Sequence, residues 1–180
     1  MNIYIVRHGQ TKLNAERRVQ ARKGEPLNEI GIKQANELKD KFEKEKVNFD
    51  LVFSSPQERA IQTAEIVSKK KAIIDNRLDV YDLGTADRML ISEIKMTGIV
   101  PDMNIYDGVE NVSDYKKRIL SFINEIIEKY KNEDVNILIA GHKCTTGMIS
   151  AYFEKFEVNS IYDDFLKLAS KNGEYKKYVI

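Results

Sequence analysis

The order of segments in this 180-residue chain predicts an α/β fold, a three-layer sandwich with a mostly parallel central sheet and helices on both faces. Three observations predict it. Short apolar runs, Ile3–Val6, Asp50–Phe53 and Val135–Ala140, lack the polar alternation of a half-exposed strand and read as strands buried on both faces. Long amphipathic stretches follow them, so strands and helices alternate. Each run also stops at a polar or glycine-bearing cluster: Arg7-His8-Gly9, Ser54-Ser55-Pro56 and Gly141-His142. In such folds ligands bind beyond the C-terminal ends of the strands, where these clusters lie.

The elements follow in order. After the first strand, Asn28 is placed to cap a helix reaching about Lys46, with Ile32, Ala35, Leu38 and Phe42 recurring at spacings of three and four. Pro56 suits the start of a second helix to about Lys70, with Ala60, Ile61, Ala64 and Val67 inward. Residues 72–75 and 78–83 read as short extended segments. A helix is expected over 86–96, then a loop marked by Gly98, Pro101 and Gly108. A strong helix spans 112–131, with Ser113 at its start and Tyr115, Ile119, Phe122, Ile123 and Ile126 as its stripe. A helix over 145–156 and a final strand over 175–180 complete the chain, and residues 1–180 are expected to form one domain.

Composition narrows the function. At this length one core buries roughly 70% of the unfolded chain's surface, so no staples are needed. The 29 basic and 28 acidic residues leave a net charge of +1, so no global field attracts nucleic acid or a membrane surface. No stretch approaches the length of a bilayer span, and the first apolar run is too short for a signal-peptide core. The single cysteine, Cys144, has no partner for an internal disulfide, which fits a reducing compartment. A cytoplasmic protein is expected. With two histidines and one cysteine, His8 and His142 far apart in sequence, neither a metal nor another cofactor is expected.

Both histidines directly follow apolar strands, and both adjoin a glycine, which lets backbone approach a ligand closely. Phosphoryl transfer needs positive charge and fixed donors around three equatorial oxygens and an in-line nucleophile. Neutral imidazole is a nucleophile near neutral pH, and guanidinium groups bind phosphate bidentately. No P-loop or dinucleotide-binding glycine motif is present.

The motifs then become specific. Arg7-His8-Gly9-Gln10-Thr11, with Asn14, Arg18 and Gln20 after it, resembles the RHGxT signature of the histidine phosphatase (phosphoglycerate mutase-like) superfamily. The segment Pro26–Ala35 is similar to that family's PLTxxGxxQA, and Ser54–Ala64 to its SSPxxRAxQTA. Gly108-Val109-Glu110 stands where the family has GES, with Arg118 in the helix beyond, and Ala140-Gly141-His142 resembles its second-histidine segment. The resemblance implies that His8 is the phosphorylated nucleophile and that Arg7, Arg59 and His142 bind the transferring group. It further implies Asn14, Gln20 and Thr11 as pocket-edge donors, and Glu110 as a residue that orders the site or contacts its phosphate-binding groups.

The pattern breaks at the proton donor. Leu78-Asp79-Val80-Tyr81-Asp82-Leu83-Gly84 aligns with the family's LxExxxG and puts Val80 at the acid's position. In an extended segment Asp82 shares a side with Val80 and Asp79 takes the other, so Asp82 is the preferred acid. Glu110, a residue of 86–111, or no acid at all stay open. Lys143 replaces a glycine and is either a further phosphate donor or a solvated charge; Ala21 and Arg22 replace a small-then-aromatic pair. The expected activity is hydrolysis of a small phosphorylated metabolite through a phosphohistidine at His8. The alternatives are a phosphomutase of the phosphoglycerate mutase type and a non-catalytic phospholigand-binding domain.

Overall fold

The computed structural model describes residues 1–180. In chain order it contains β1 (Asn2–Arg7), α1 (Lys12–Ala15), α2 (Glu29–Lys44), β2 (Leu51–Ser54), α3 (Glu58–Ser68), β3 (Ile73–Ile74), β4 (Met96–Thr97), β5 (Val100–Pro101), α4 (Val112–Tyr130), β6 (Asn136–Gly141), α5 (Lys143–Phe153) and β7 (Tyr175–Val179). The main sheet has the order β3-β2-β6-β1-β7. Its pairs are parallel except for β1 with β7. The fold is the α/β sandwich that the segment order predicts.

The two-residue period of a strand explains the two helical layers. Ile3, Ile5, Ile137 and Ile139 point to one face and pack with Tyr115, Ile119, Phe122 and Ile123 of α4 and Met148 and Ile149 of α5. Tyr4, Val6, Leu138 and Ala140 point to the other and pack with Ala35, Leu38 and Phe42 of α2 and Ala64 and Val67 of α3. Each buried isoleucine contributes ~1.5–3 kcal/mol by leaving water. On α2 the buried stripe starts at Gly31 rather than Ile32, which is exposed.

The register brings three strand ends together. Arg7 lies opposite Gly141 and Ser54 opposite Ala140. One residue further on, the His8 amide donates to the Gly141 carbonyl at 2.9 Å and the Ser55 amide to that of Ala140 at 3.1 Å. The loop after β1 must then pass very close to α2. A Cβ on Gly9 would stand 2.5 Å from the Gly31 carbonyl oxygen, so glycine is required where loop and helix touch.

Several expected elements differ. Residues 86–96 are not a helix; they contain 3₁₀ turns at Gly84–Ala86 and Ile91–Glu93 and lead into the β4–β5 hairpin. Arg88 takes a positive φ of 73°, which ends any helix there. The Asp87 carboxylate accepts from the amides of Ala21 and Lys23, both at 2.8 Å, tying this segment to the first loop. Ala86, Ile94 and Tyr106 form a small core of their own. The segment over 78–83 contains no strand, because Leu78 belongs to a 3₁₀ turn at Asn76–Leu78 and irregular backbone follows. The edge strand over 72–75 shrinks to Ile73–Ile74. On α4 the cap is Asn111, whose side chain accepts from the Ser113 amide at 2.8 Å, rather than Ser113 itself.

Candidate active site

The groups delivered by β1, α3 and β6 meet at the C-terminal edge of the sheet. His8 and His142 are buried with ring centroids 5.2 Å apart. The His8 Nδ1 lies 2.7 Å from the Gly9 carbonyl oxygen. A carbonyl only accepts, so Nδ1 carries the proton and Nε2 keeps its lone pair. Arg59 Nε donates to that Nε2 at 3.3 Å. Burial, then the charges of Arg59 and Arg7, hold the His8 pKa well below the usual histidine value. His8 is therefore a neutral imidazole whose Nε2 lone pair faces Arg59.

Arg59 reaches the site because α3 starts beside it. The guanidinium is buried, with NH2 donating to the Ala21 carbonyl at 3.0 Å. Burial lowers its pKa to about 10. Gly24 makes the space: a Cβ there would stand 1.9 Å from NH1. Arg7 donates through NH1 to the Ser170 carbonyl at 3.2 Å and leaves its buried Nε without a partner. His142 Nε2 lies 2.7 Å from Ser55 Oγ, while its Nδ1 is likewise buried and unpartnered. Its pKa is also well below the usual value, chiefly through burial and then Arg59. Two guanidinium groups and two buried, unpartnered nitrogen atoms around a neutral imidazole have the composition of an oxyanion receptor.

The sequence profile of the histidine phosphatase superfamily (branch 1) matches residues 3–172, and so spans every one of these groups. The chain belongs to the histidine phosphatase superfamily. It is 30% identical over 142 residues to an uncharacterized phosphatase, PhoE, of Bacillus subtilis, covering 77% of this chain and 71% of that one. It is 28% identical over 151 residues to a putative phosphoserine phosphatase 2 of Hydrogenobacter thermophilus, covering 78% and 72%. Among solved structures, the mycobacterial glucosyl-3-phosphoglycerate phosphatase in complex with VO3 superposes with a TM-score of 0.80 at 21% identity, over 98% of this chain and 91% of that one. At that identity the superposition speaks for the histidine phosphatase fold alone.

A cavity of about 290 Å³ opens onto the two histidines, and Arg7, Asn14, Gln20 and Lys143 also line it. Thr11 does not. It caps α1, accepts from the Asn14 amide at 3.2 Å and the Gln20 Nε2 at 3.0 Å, and so holds the two residues that do. Lys143 is exposed and forms no ion pair. Glu110 is turned away: its carboxylate pairs with Arg118 at 2.7 and 2.8 Å and accepts from the Asp82 amide at 3.1 Å.

Asp82 also sits differently from the alternation argument. Val80, Tyr81 and Leu83 line the cavity, whereas Asp79 and Asp82 do not. Both carboxylates pair with Arg22, at 3.2 and 3.0 Å, and Asp82 accepts from the Gly84 amide as well. The period of two fails because the segment is not a strand. No carboxylate lines the cavity at all.

Sequence reasoning missed the supporting residues. Asn172 donates to the His8 carbonyl at 2.9 Å, and Thr63 accepts from the Gly9 amide at 3.1 Å and donates to the Arg59 carbonyl at 2.8 Å. Asn172 carries no local signal, because only tertiary contact brings it to His8. Ser55 and Thr63 stand inside the SSPxxRAxQTA-like segment, where the helical spacing of Arg59 and Thr63 was available to find them.

Proposed function

We propose that this chain is a phosphomonoesterase in which His8 forms a phosphohistidine. The observation that carries the reading is the fixed tautomer of His8: Nδ1 is committed to the Gly9 carbonyl, and Nε2 faces Arg59 in the cluster with His142. His8 Nε2 attacks phosphorus, Arg7 and Arg59 balance the charge on the equatorial oxygens, and His142, its Nε2 accepting from Ser55 Oγ, donates a neutral Nδ1–H to them. Water then attacks the phosphohistidine, and the P–N electron pair returns to Nε2. These cations supply the neutralisation a metal would otherwise provide, so activity is expected to survive EDTA. Names of the relatives, a phosphatase and a putative phosphoserine phosphatase among them, support hydrolysis as the outcome.

The test is turnover of p-nitrophenyl phosphate, whose leaving group departs without a proton, together with alkaline-quench trapping of labelled protein, since the P–N bond survives base. His8→Ala should remove both signals. The carboxylate-free cavity also favours one other reading, a phospholigand-binding domain. It predicts protection by phosphate against unfolding with neither turnover nor phosphohistidine.

A further inference from the structure

The cavity beyond the phosphate end is apolar. Of the residues lining it, eleven of eighteen are hydrophobic, among them Val19, Ile91, Met96, Ile99, Val100 and Leu166. Ile91 and Met96, which line it, are 56% and 51% exposed, so large apolar side chains here are left partly uncovered. Its charges are few. Arg18 is committed to Glu16 at 3.3 Å and to the Arg88 carbonyl at 3.0 Å, leaving Lys143 as the one uncommitted cation outside the phosphate cluster.

An ammonium group carried into this space would lose hydration without an anionic partner, and a carboxylate would find only the exposed Lys143. An apolar group would gain ~25 cal/mol for each Å² it covers. The missing acid adds a second constraint. With no carboxylate among the cavity-lining residues, a leaving oxygen that departs without a proton from the protein is favoured. A phenol, like the tyrosine side chain, ionises near pH ~10, whereas an aliphatic alcohol holds its proton far more tightly.

We propose that the substrates are aryl phosphates: phosphomonoesters of apolar phenols, with the ring against the Ile91–Met96–Ile99 wall. This rests on the phosphatase reading above and names its substrate class. His8 Nε2 forms the N–P bond as the P–O bond to the ring breaks, and the electron pair leaves on the phenolate. The phenolate takes its proton from solvent. Water then cleaves the N–P bond, so that one ester and one water become one phenol and one phosphate.

Phenyl and cyclohexyl phosphate, which match in size and polarity but not in leaving group, test both constraints when compared with phosphoserine. Phenyl phosphate should exceed phosphoserine in kcat/KM by at least about 100-fold. Cyclohexyl phosphate should compete with phenyl phosphate for binding yet turn over at least about 100-fold more slowly. Ile91→Lys, at an exposed position that tolerates charge, should narrow the phenyl-to-phosphoserine ratio by about 10-fold. Equal or faster turnover of phosphoserine, or of cyclohexyl phosphate relative to phenyl phosphate, would overturn the inference. If no ester is turned over, the phosphatase reading fails separately. The class is then read by thermal protection, where phenyl phosphate must act at lower concentration than phosphoserine, and the reverse order sinks it.

Discussion

Arg59 is a guanidinium buried without a carboxylate beside it; its bonds go to His8, the Ala21 carbonyl and, at 3.5 Å, Gln57. Desolvating a charge with only neutral partners is unfavourable, and the lowering of its pKa to about 10 is the same cost seen in protonation. The free protein thus buries a charge that no carboxylate pairs. Arg59→Met, close in volume and apolar, should therefore raise Tm in phosphate-free buffer while lowering kcat/KM on p-nitrophenyl phosphate by about 10²–10³-fold. A thermal melt and a rate on the same preparation check both signs. Gly24→Ala attacks the same group differently: its methyl would collide with NH1, so it should reduce activity with Arg59 still present. Arg59 and His8 were legible in the sequence, since their motifs name them. Gly24 was not, because the guanidinium it makes room for arrives from 35 positions further along the chain, 59 − 24.

At the scale of elements, α4 controls the cavity through Arg118. This side chain donates to the carbonyls of Arg77, Asp79 and Val80 at 2.8, 2.6 and 3.0 Å, and pairs with Glu110. A segment with no strand or helix of its own is thereby held against the site, with its backbone acceptors satisfied from outside. The Tyr81 hydroxyl donates to the Glu110 carbonyl and closes the same bracket. Arg118→Met should cost about 2 kcal/mol or more in urea unfolding, through the unpaired Glu110 and the lost carbonyl bonds. Its kinetic signature should be a raised KM with a smaller change in kcat, since the wall moves while His8, Arg7 and Arg59 do not. The strand alternation that favoured Asp82 as the acid does not hold at this scale. Strand alternation is a property of an element, and residues 79–83 obey hydrogen bonds to Arg118, Arg22 and Glu110 instead. The expected helix over 86–96 failed likewise, because Asp87 bonds backbone in a distant loop and local spacing cannot foresee that.

For the whole molecule, the site makes stability depend on pH. His8 and His142 both have folded-state pKa values well below that of an unfolded histidine. Above about pH 6.5 both states are neutral and their contribution is fully present. As pH falls below that, the unfolded chain takes up protons that the folded chain refuses, and stability is lost progressively through the folded values. Urea midpoints at pH 7.5 and 5.5 should therefore fall more for the native chain than for a His8→Asn/His142→Gln variant. Inorganic phosphate should offset that loss, because a bound dianion favours the protonated imidazoles and stabilises the folded state by mass action. An equal pH response in the two proteins, or no effect of phosphate, would contradict this account.

The sequence by itself determined the layers of the fold and the strand ends that bring His8, Arg7 and His142 together. Uninterrupted apolar runs specify strands buried on both faces, helical spacing specifies what covers them, and the register of parallel strands then carries Arg7-His8, Ser54-Ser55 and Gly141-His142 to one edge. Periodicity and motif are local, so they can be read along the chain. Only the tertiary structure decided how the cavity beyond His8 is walled and which carboxylates stay out of it. Those outcomes depend on Arg22, Arg118 and Asp87 bonding to groups far away in sequence, where no repeat or spacing announces the partner.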